Sequence, residues 1–193
     1  MEKNILPFDG SVIYFQNIIS ELESEELIDK FMLDIHWRHD ESKIFGKHFI
    51  TKRKVAWYGD NNCQYTYSGT SKTALPWTKE LLHLKTIVEE YSKTKFNSCL
   101  LNLYHNGDEG MGWHSDDEKS LGKDIIIASI SLGAERRFLF KHRILKDKIE
   151  ILLQNGSLLI MKGATQINWM HSLPKTKKSK HPRINLTFRT ILH

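Results

Sequence analysis

Two cysteines, Cys63 and Cys99, are all that the 193-residue chain carries, far apart and without a partner pattern. That argues against a disulfide framework or a cysteine zinc site and makes reduced thiols the expectation. No stretch approaches the ~18 consecutive apolar residues of a membrane-spanning helix. The opening MEKNILPFDGSVIYF places acids and a proline where a secretory leader needs an unbroken apolar run. We therefore expect a soluble, intracellular chain, in a bacterial cytosol or a nucleus, acting as a monomer without membrane contact. Neither an internal repeat nor a low-complexity tract is present.

What is there suits one domain of 193 residues, typical domains running to ~100–200. Hydrophobic residues make up 40% and aromatic residues 10%, enough for a real core. The formal charge of +5 and a pI near 9.1 favour an anionic partner, of which nucleic acid is the commonest.

The expected elements fall into two textures. Ser11 to Phe15 reads as a strand. Ser20 and Glu23 then form a capping-box pattern ahead of Leu27, Ile28, Phe31, Met32 and Ile35 at helical spacing. His48 to Tyr58 is rich in β-formers and ends at the turn signal Gly59-Asp60. A second helix, with Pro76 near its start, carries Trp77, Leu81, Leu84, Val88 and Tyr91 on one face. After Asn97 come SCLLNLY, DIIIASISL, RFLFKH, KIEILLQ, SLLIMKG, NWMHSLP and RINLTFRTIL, short β-rich runs separated by turn material such as Asn106-Gly107 and Asn155-Gly156. Seven or eight strands with no helix between them predict a two-sheet barrel or sandwich. The layout is a helical and mixed part (about 1–96) followed by a jelly-roll-like part (about 97–193). The basic run KTKKSKHPR (175–183) reads as a solvated loop, with a nucleic-acid contact as the alternative.

Within GWHSDDE (112–118), one histidine precedes three adjacent acids across a single spacer. A polar loop is one reading; the other makes His114 and Asp116 two ligands of a metal, pointing the same way along a strand. His171, in NWMHSLP, adds a second imidazole. Two histidines and one carboxylate with open positions opposite form the facial triad of non-haem Fe(II) oxygenases. In RINLTFR, period-two alternation puts Ile184, Leu186 and Phe188 on one face and Arg183, Asn185, Thr187 and Arg189 on the other. That second face is either the wet side of an ordinary strand or a cradle for a small dianion, since arginine forks match carboxylates. Arg183 and Arg189 are about 20 Å apart along such a strand, so serving one small dicarboxylate requires them to lean toward each other.

The stretch LLNLYHNGDEGMGWHSDDE, then IIIASISLGAERRF, NGSLLIM, WMHSLP and RINLTFR, resembles the AlkB family of Fe(II)/2-oxoglutarate-dependent nucleic-acid demethylases, from about residue 44 to the end. The resemblance implies a mixed α/β chain with a mainly β core, the double-stranded β-helix (jelly-roll) dioxygenase fold, with N-terminal helices and a nucleotide-recognition lid. It implies Fe(II) on His114, Asp116 and His171, with 2-oxoglutarate and O2 as co-substrates. Asn102 and Tyr104 would join Arg183, Asn185, Thr187 and Arg189 around 2-oxoglutarate.

The family's reaction hydroxylates an N-methyl group of a damaged base in DNA, such as 1-methyladenine or 3-methylcytosine, and releases formaldehyde. Such a base is cationic and pairs poorly, so flipping it out costs less than for an intact pair. By the same resemblance, Tyr67 stacks on the base with His114 opposite, Asp117 reads its positive charge, and Tyr65 and Ser68 belong to the same pocket segment. Phe45 would be a wedge entering the base stack and Gly46 its turn. Lys47, Arg53 and Lys141 would meet phosphates. The finger IFGK resembles the branch acting on duplex DNA, while AWYGD and WHSDDEKSLG resemble the sibling that prefers single strands and accepts RNA. The competing readings are an RNA demethylase or protein hydroxylase with the same iron chemistry, and a non-catalytic nucleic-acid-binding module.

Overall fold

The first strand, β1 (Ser11–Phe15), leads into helix α1 (Glu21–Asp34) in a computed structural model that describes residues 3–44, 47–60, 64–67, 70–122 and 125–192. The Ser20 side chain caps α1 by accepting from the Glu23 N–H at 3.2 Å. Leu27 and Phe31 are buried from its inner face, whereas Met32, grouped with them by spacing, is exposed. β2 (Arg38–Ile44) and β3 (Lys47–Gly59) then form a long antiparallel hairpin, paired up to Ile44↔Lys47. β2 was not expected. Its sequence RHDESKI offers no apolar alternation, and it is a strand because β3 supplies the ladder.

β4 (Gln64–Tyr67) and β5 (Thr70–Thr73) pair as a separate hairpin, and β6 (Leu75–Pro76) runs parallel to β3. Pro76 therefore ends β6 rather than opening the next helix. That helix, α2 (Lys79–Ser92), is capped by Thr78, whose hydroxyl accepts from the Leu81 N–H at 3.2 Å.

Beyond Asn97 the expected strands are all found: β7 (Ser98–Tyr104), β8 (Met111–His114), β9 (Ile127–Gly133), β10 (Arg136–His142), β11 (Lys148–Leu153) and β12 (Ser157–Lys162), then β13 (Trp169–Leu173) and β14 (Arg183–Arg189). The expectation of no helix among them needs correcting. A 3-10 turn (Lys119–Leu121) and a four-residue helix, α3 (Thr165–Asn168), interrupt the series. Both are too short for helical periodicity to register.

The strands assemble into an eight-stranded sheet, ordered β1-β12-β9-β14-β7-β3-β2 with β6 on β3, and a four-stranded sheet, β11-β10-β13-β8. This is the expected double-stranded β-helix, with β2 and β3 extending its larger sheet. One apolar cluster joins that sheet to α1 and α2 through residues such as Phe31, Leu84, Leu101, Ile130, Leu186 and Phe188. A second lies between the sheets, around Ile127, Phe140, Leu159 and Trp169. The turn from β11 to β12 requires glycine. Gly156 has φ +68°, and a Cβ there would stand 2.2 Å from the Ile19 carbonyl oxygen. Among the described residues no helix is long and apolar enough to cross a membrane.

Candidate active site

β14 divides as its alternation predicts. Ile184, Leu186 and Phe188 are wholly buried under the helices, while Arg183, Asn185, Thr187 and Arg189 line a cavity of about 990 Å³ between the sheets. Register extends the polar face sideways. Asn185 lies opposite Asn102 on β7 and Ser131 on β9, Thr187 opposite Ser129, and Arg183 opposite Tyr104. Directly opposed residues share a face, so the pairing itself brings Asn102 and Tyr104 to the cavity.

The smaller sheet supplies the histidines. β8 and β13 are antiparallel with His114 opposite His171, and the two rings stand 4.3 Å apart. The His171 ring is further held by Phe138 and Phe140, at centroid distances of 5.4 and 6.3 Å. Asp116 arrives differently from the expectation. β8 stops at His114, so Asp116 sits in irregular chain beyond it and not two steps along the same strand. Even so, its carboxylate meets both rings, Oδ1 at 4.0 Å from His114 Nε2 and Oδ2 at 3.8 Å from His171 Nε2. One donor atom from each of the three lies within 4.8 Å of the others.

Protonation suits ligation. The Nδ1–H of His114 donates to the Gly112 carbonyl at 2.9 Å, which turns Nε2 toward Asp116. Burial pushes the His171 imidazole down to about 4, against the opposing pull of Asp116, so it is neutral near pH 7. Burial alone would raise the Asp116 carboxyl. The Arg189 guanidinium leads the opposing pull and holds the group below its ordinary value, ionised. Two imidazoles and an ionised carboxylate make a donor set that fits a ferrous ion.

Arg189 and Arg183 mark opposite parts of the polar face. Arg189 donates to Asp116 Oδ1 at 2.8 Å. Arg183 is buried deep, donating to Ser131 Oγ at 2.8 Å and Asn185 Oδ1 at 2.7 Å, with the Tyr104 ring 5.5 Å away. Burial pushes its guanidinium down to about 10, the nearby Tyr104 and Tyr14 opposing the shift. Each has a buried Nε–H without an acceptor among the described residues. Buried cationic donors left over after the protein's own bonds fit a dianionic guest such as 2-oxoglutarate.

Other expected residues lie elsewhere. Asp117 is not part of the cavity lining; its carboxylate pairs with Arg143 at 3.2 Å. The next acid, Glu118, does line it. Arg53 is buried in the cavity wall, donating to Asn102 Oδ1 and Asp40 Oδ2, which corrects its expected role at the phosphates. Lys141 lies over Trp113 at 5.0 Å, on the smaller sheet. Lys47 belongs to β3 and Tyr65 and Tyr67 to β4, known by backbone pairing alone. Phe45, Gly46 and Ser68 lie outside the described residues. Sequence reading missed Asp40, which sits on the unexpected strand β2, and Arg136. The latter is buried and clamps the Glu109 and Pro174 carbonyls at 2.8 Å each.

Comparison with known proteins points the same way. A family model described as 2OG-Fe(II) oxygenase superfamily matches residues 11–189. Alpha-ketoglutarate-dependent dioxygenase alkB homolog 3 of Bos taurus is 40% identical over 179 residues, covering 88% of this chain and 62% of that protein. DNA oxidative demethylase ALKBH2 of Mus musculus is 40% identical over 158 residues, covering 78% and 66%. The chain thus spans just under two thirds of the length of each. The solved structure of OsALKBH1 superposes with a TM-score of 0.63 at 17% identity, over 93% of this chain and 97% of that one, a likeness of fold. With the family match running from the first strand to the last, the chain belongs to the 2OG-Fe(II) oxygenase superfamily and, within it, to the AlkB homologues.

Proposed function

We propose that the protein is an Fe(II)/2-oxoglutarate-dependent dioxygenase that removes N-methyl groups from damaged bases, with DNA as the first substrate and RNA as the alternative. One observation carries the reading. The three-donor cluster, the buried Arg183 and the half-buried Arg189 open into the same cavity. Its volume, about 990 Å³, stands at the upper end of the ~300–1,000 Å³ usual for small-molecule sites, room for a co-substrate and a flipped base together. The names of the relatives, a dioxygenase and a DNA oxidative demethylase, support the same assignment.

His114, Asp116 and His171 would hold the iron. Arg183, with Tyr104, Asn102, Asn185 and Thr187, would seat one carboxylate of 2-oxoglutarate, and Arg189 would face the end nearest Asp116. Bound iron, with 2-oxoglutarate and O2, supplies the oxidation that turns N–CH3 into N–CH2OH while the co-substrate becomes succinate and CO2. The hydroxymethyl product then sheds formaldehyde. The rest is placement. Glu118 lines the cavity, its Oε1 3.8 Å from Arg189 and its Oε2 buried and unpartnered among the described residues, the oxygen a cationic base would meet there. Asp117 would reach that base only by leaving Arg143. Tyr67 as the stacking ring and Phe45 as the wedge complete the proposal, with Gly46, Lys47, Tyr65 and Ser68 beside them.

The test is direct. Iron-loaded protein receives 2-oxoglutarate, O2 and an oligonucleotide carrying one 1-methyladenine, and methyl loss and formaldehyde are measured. Repair of DNA in preference to matched RNA supports the reading; tight binding without turnover of either returns the protein to a binding module. Phe45→Ala should hurt duplex repair far more than single-strand repair, and equal losses would remove the wedge.

A further inference from the structure

Asp116 poses a problem that the histidines do not. His114 and His171 face each other across a ladder, whereas Asp116 lies past the end of β8, where no strand pairing sets its direction. Arg189 holds its carboxylate. Its main chain is held separately: the Asp116 N–H donates to Oε1 of Gln166 at 3.0 Å, in a buried contact. Gln166 is only 1% exposed and belongs to α3. Its Nε2 donates to Met161 Sδ at 3.5 Å, and reversing the amide would oppose two N–H donors, so its orientation is determined. α3 is itself anchored. The Thr165 hydroxyl donates to the Lys162 carbonyl at 2.6 Å and accepts from the Ser11 N–H at 2.9 Å. The residue after α3 opens β13, the strand that carries His171.

We propose that Gln166 is a positioning residue of the metal site. By holding the Asp116 main chain it sets the direction of the carboxylate ligand and ties the loop bearing that ligand to the strand bearing His171. This rests on the metal reading of the triad and is independent of the substrate.

Metal-stripped protein is titrated with Mn(II) and binding followed by electron paramagnetic resonance, for the parent, Gln166→Met and Gln166→Glu. Met keeps the length and loses the acceptor; Glu keeps an acceptor. Gln166→Met should bind Mn(II) about 10–100-fold more weakly, the range found when partners behind metal ligands are removed. Gln166→Glu should restore most of the affinity. Parent-like binding by Gln166→Met, or equal losses in both variants, would overturn the proposal. Amide hydrogen exchange of the metal-free parent needs no variant to fold: the Asp116 amide should be protected, and exchange as fast as in an open loop also overturns it. If the parent itself binds no Mn(II), the metal reading falls, and the exchange result still judges the Gln166 contact.

Discussion

The two faces of β14 differ in what they cost the fold. Toward the helices, Ile184, Leu186 and Phe188 are fully buried, each worth about 1.5–3 kcal/mol from apolar burial. Toward the cavity, the same strand half-buries Arg189 and fully buries Arg183, where desolvation works against the charge. A fold built for stability alone would put apolar side chains on both. The contrast teaches that the helix face holds the strand in place and the cavity face is kept for a guest.

Substitutions on either face should break that contrast in opposite senses. The largest effect is expected at the metal cluster: Asp116→Ala should reduce iron-dependent formaldehyde release to background while DNA affinity, read by fluorescence anisotropy, is largely kept. Next, Leu186→Ala on the helix face should lose about 2–5 kcal/mol in urea unfolding, with the KM for 2-oxoglutarate of the folded fraction unchanged. Arg183→Leu should do the reverse. Its KM for 2-oxoglutarate should rise roughly tenfold to a hundredfold, from loss of a charged hydrogen bond worth ~1.5–3 kcal/mol, while unfolding stability stays level or improves. A stability loss in Arg183→Leu like that of Leu186→Ala would erase the distinction.

The smallest effect is on pH. His171 is depressed from 6.5 to about 4, so below pH 6.5 the unfolded chain takes up a proton that the folded one refuses. Stability of the metal-free protein should therefore fall as pH drops from about 6.5 to about 4, and the lowered Asp116 adds to the loss further down. His171→Leu should flatten the upper part of that slope in urea titrations at stepped pH.

Much of this was legible in the chain because local rules decide it. Period-two alternation sorted β14 into its two faces, the Ser20 cap placed the start of α1, and turn residues separated the strands of the second half. The ligand types were legible too, since two imidazoles and a carboxylate define a metal chemistry before any geometry is known. What escaped was whatever another segment decides. β2 is a strand only because β3 pairs with it; Arg53 meets Asn102 and Asp40 because β3 runs between β7 and β2 in the sheet.

The amino-acid sequence by itself determined the faces of the strands, the helix cap and the donor set, because side-chain chemistry and backbone periodicity act over a few residues. Tertiary structure alone decided that His114 meets His171, that Asp116 reaches them from a loop held by Gln166 and Arg189, and that Glu118 rather than Asp117 lines the cavity. Those outcomes depend on register and burial between distant segments, which no local pattern encodes.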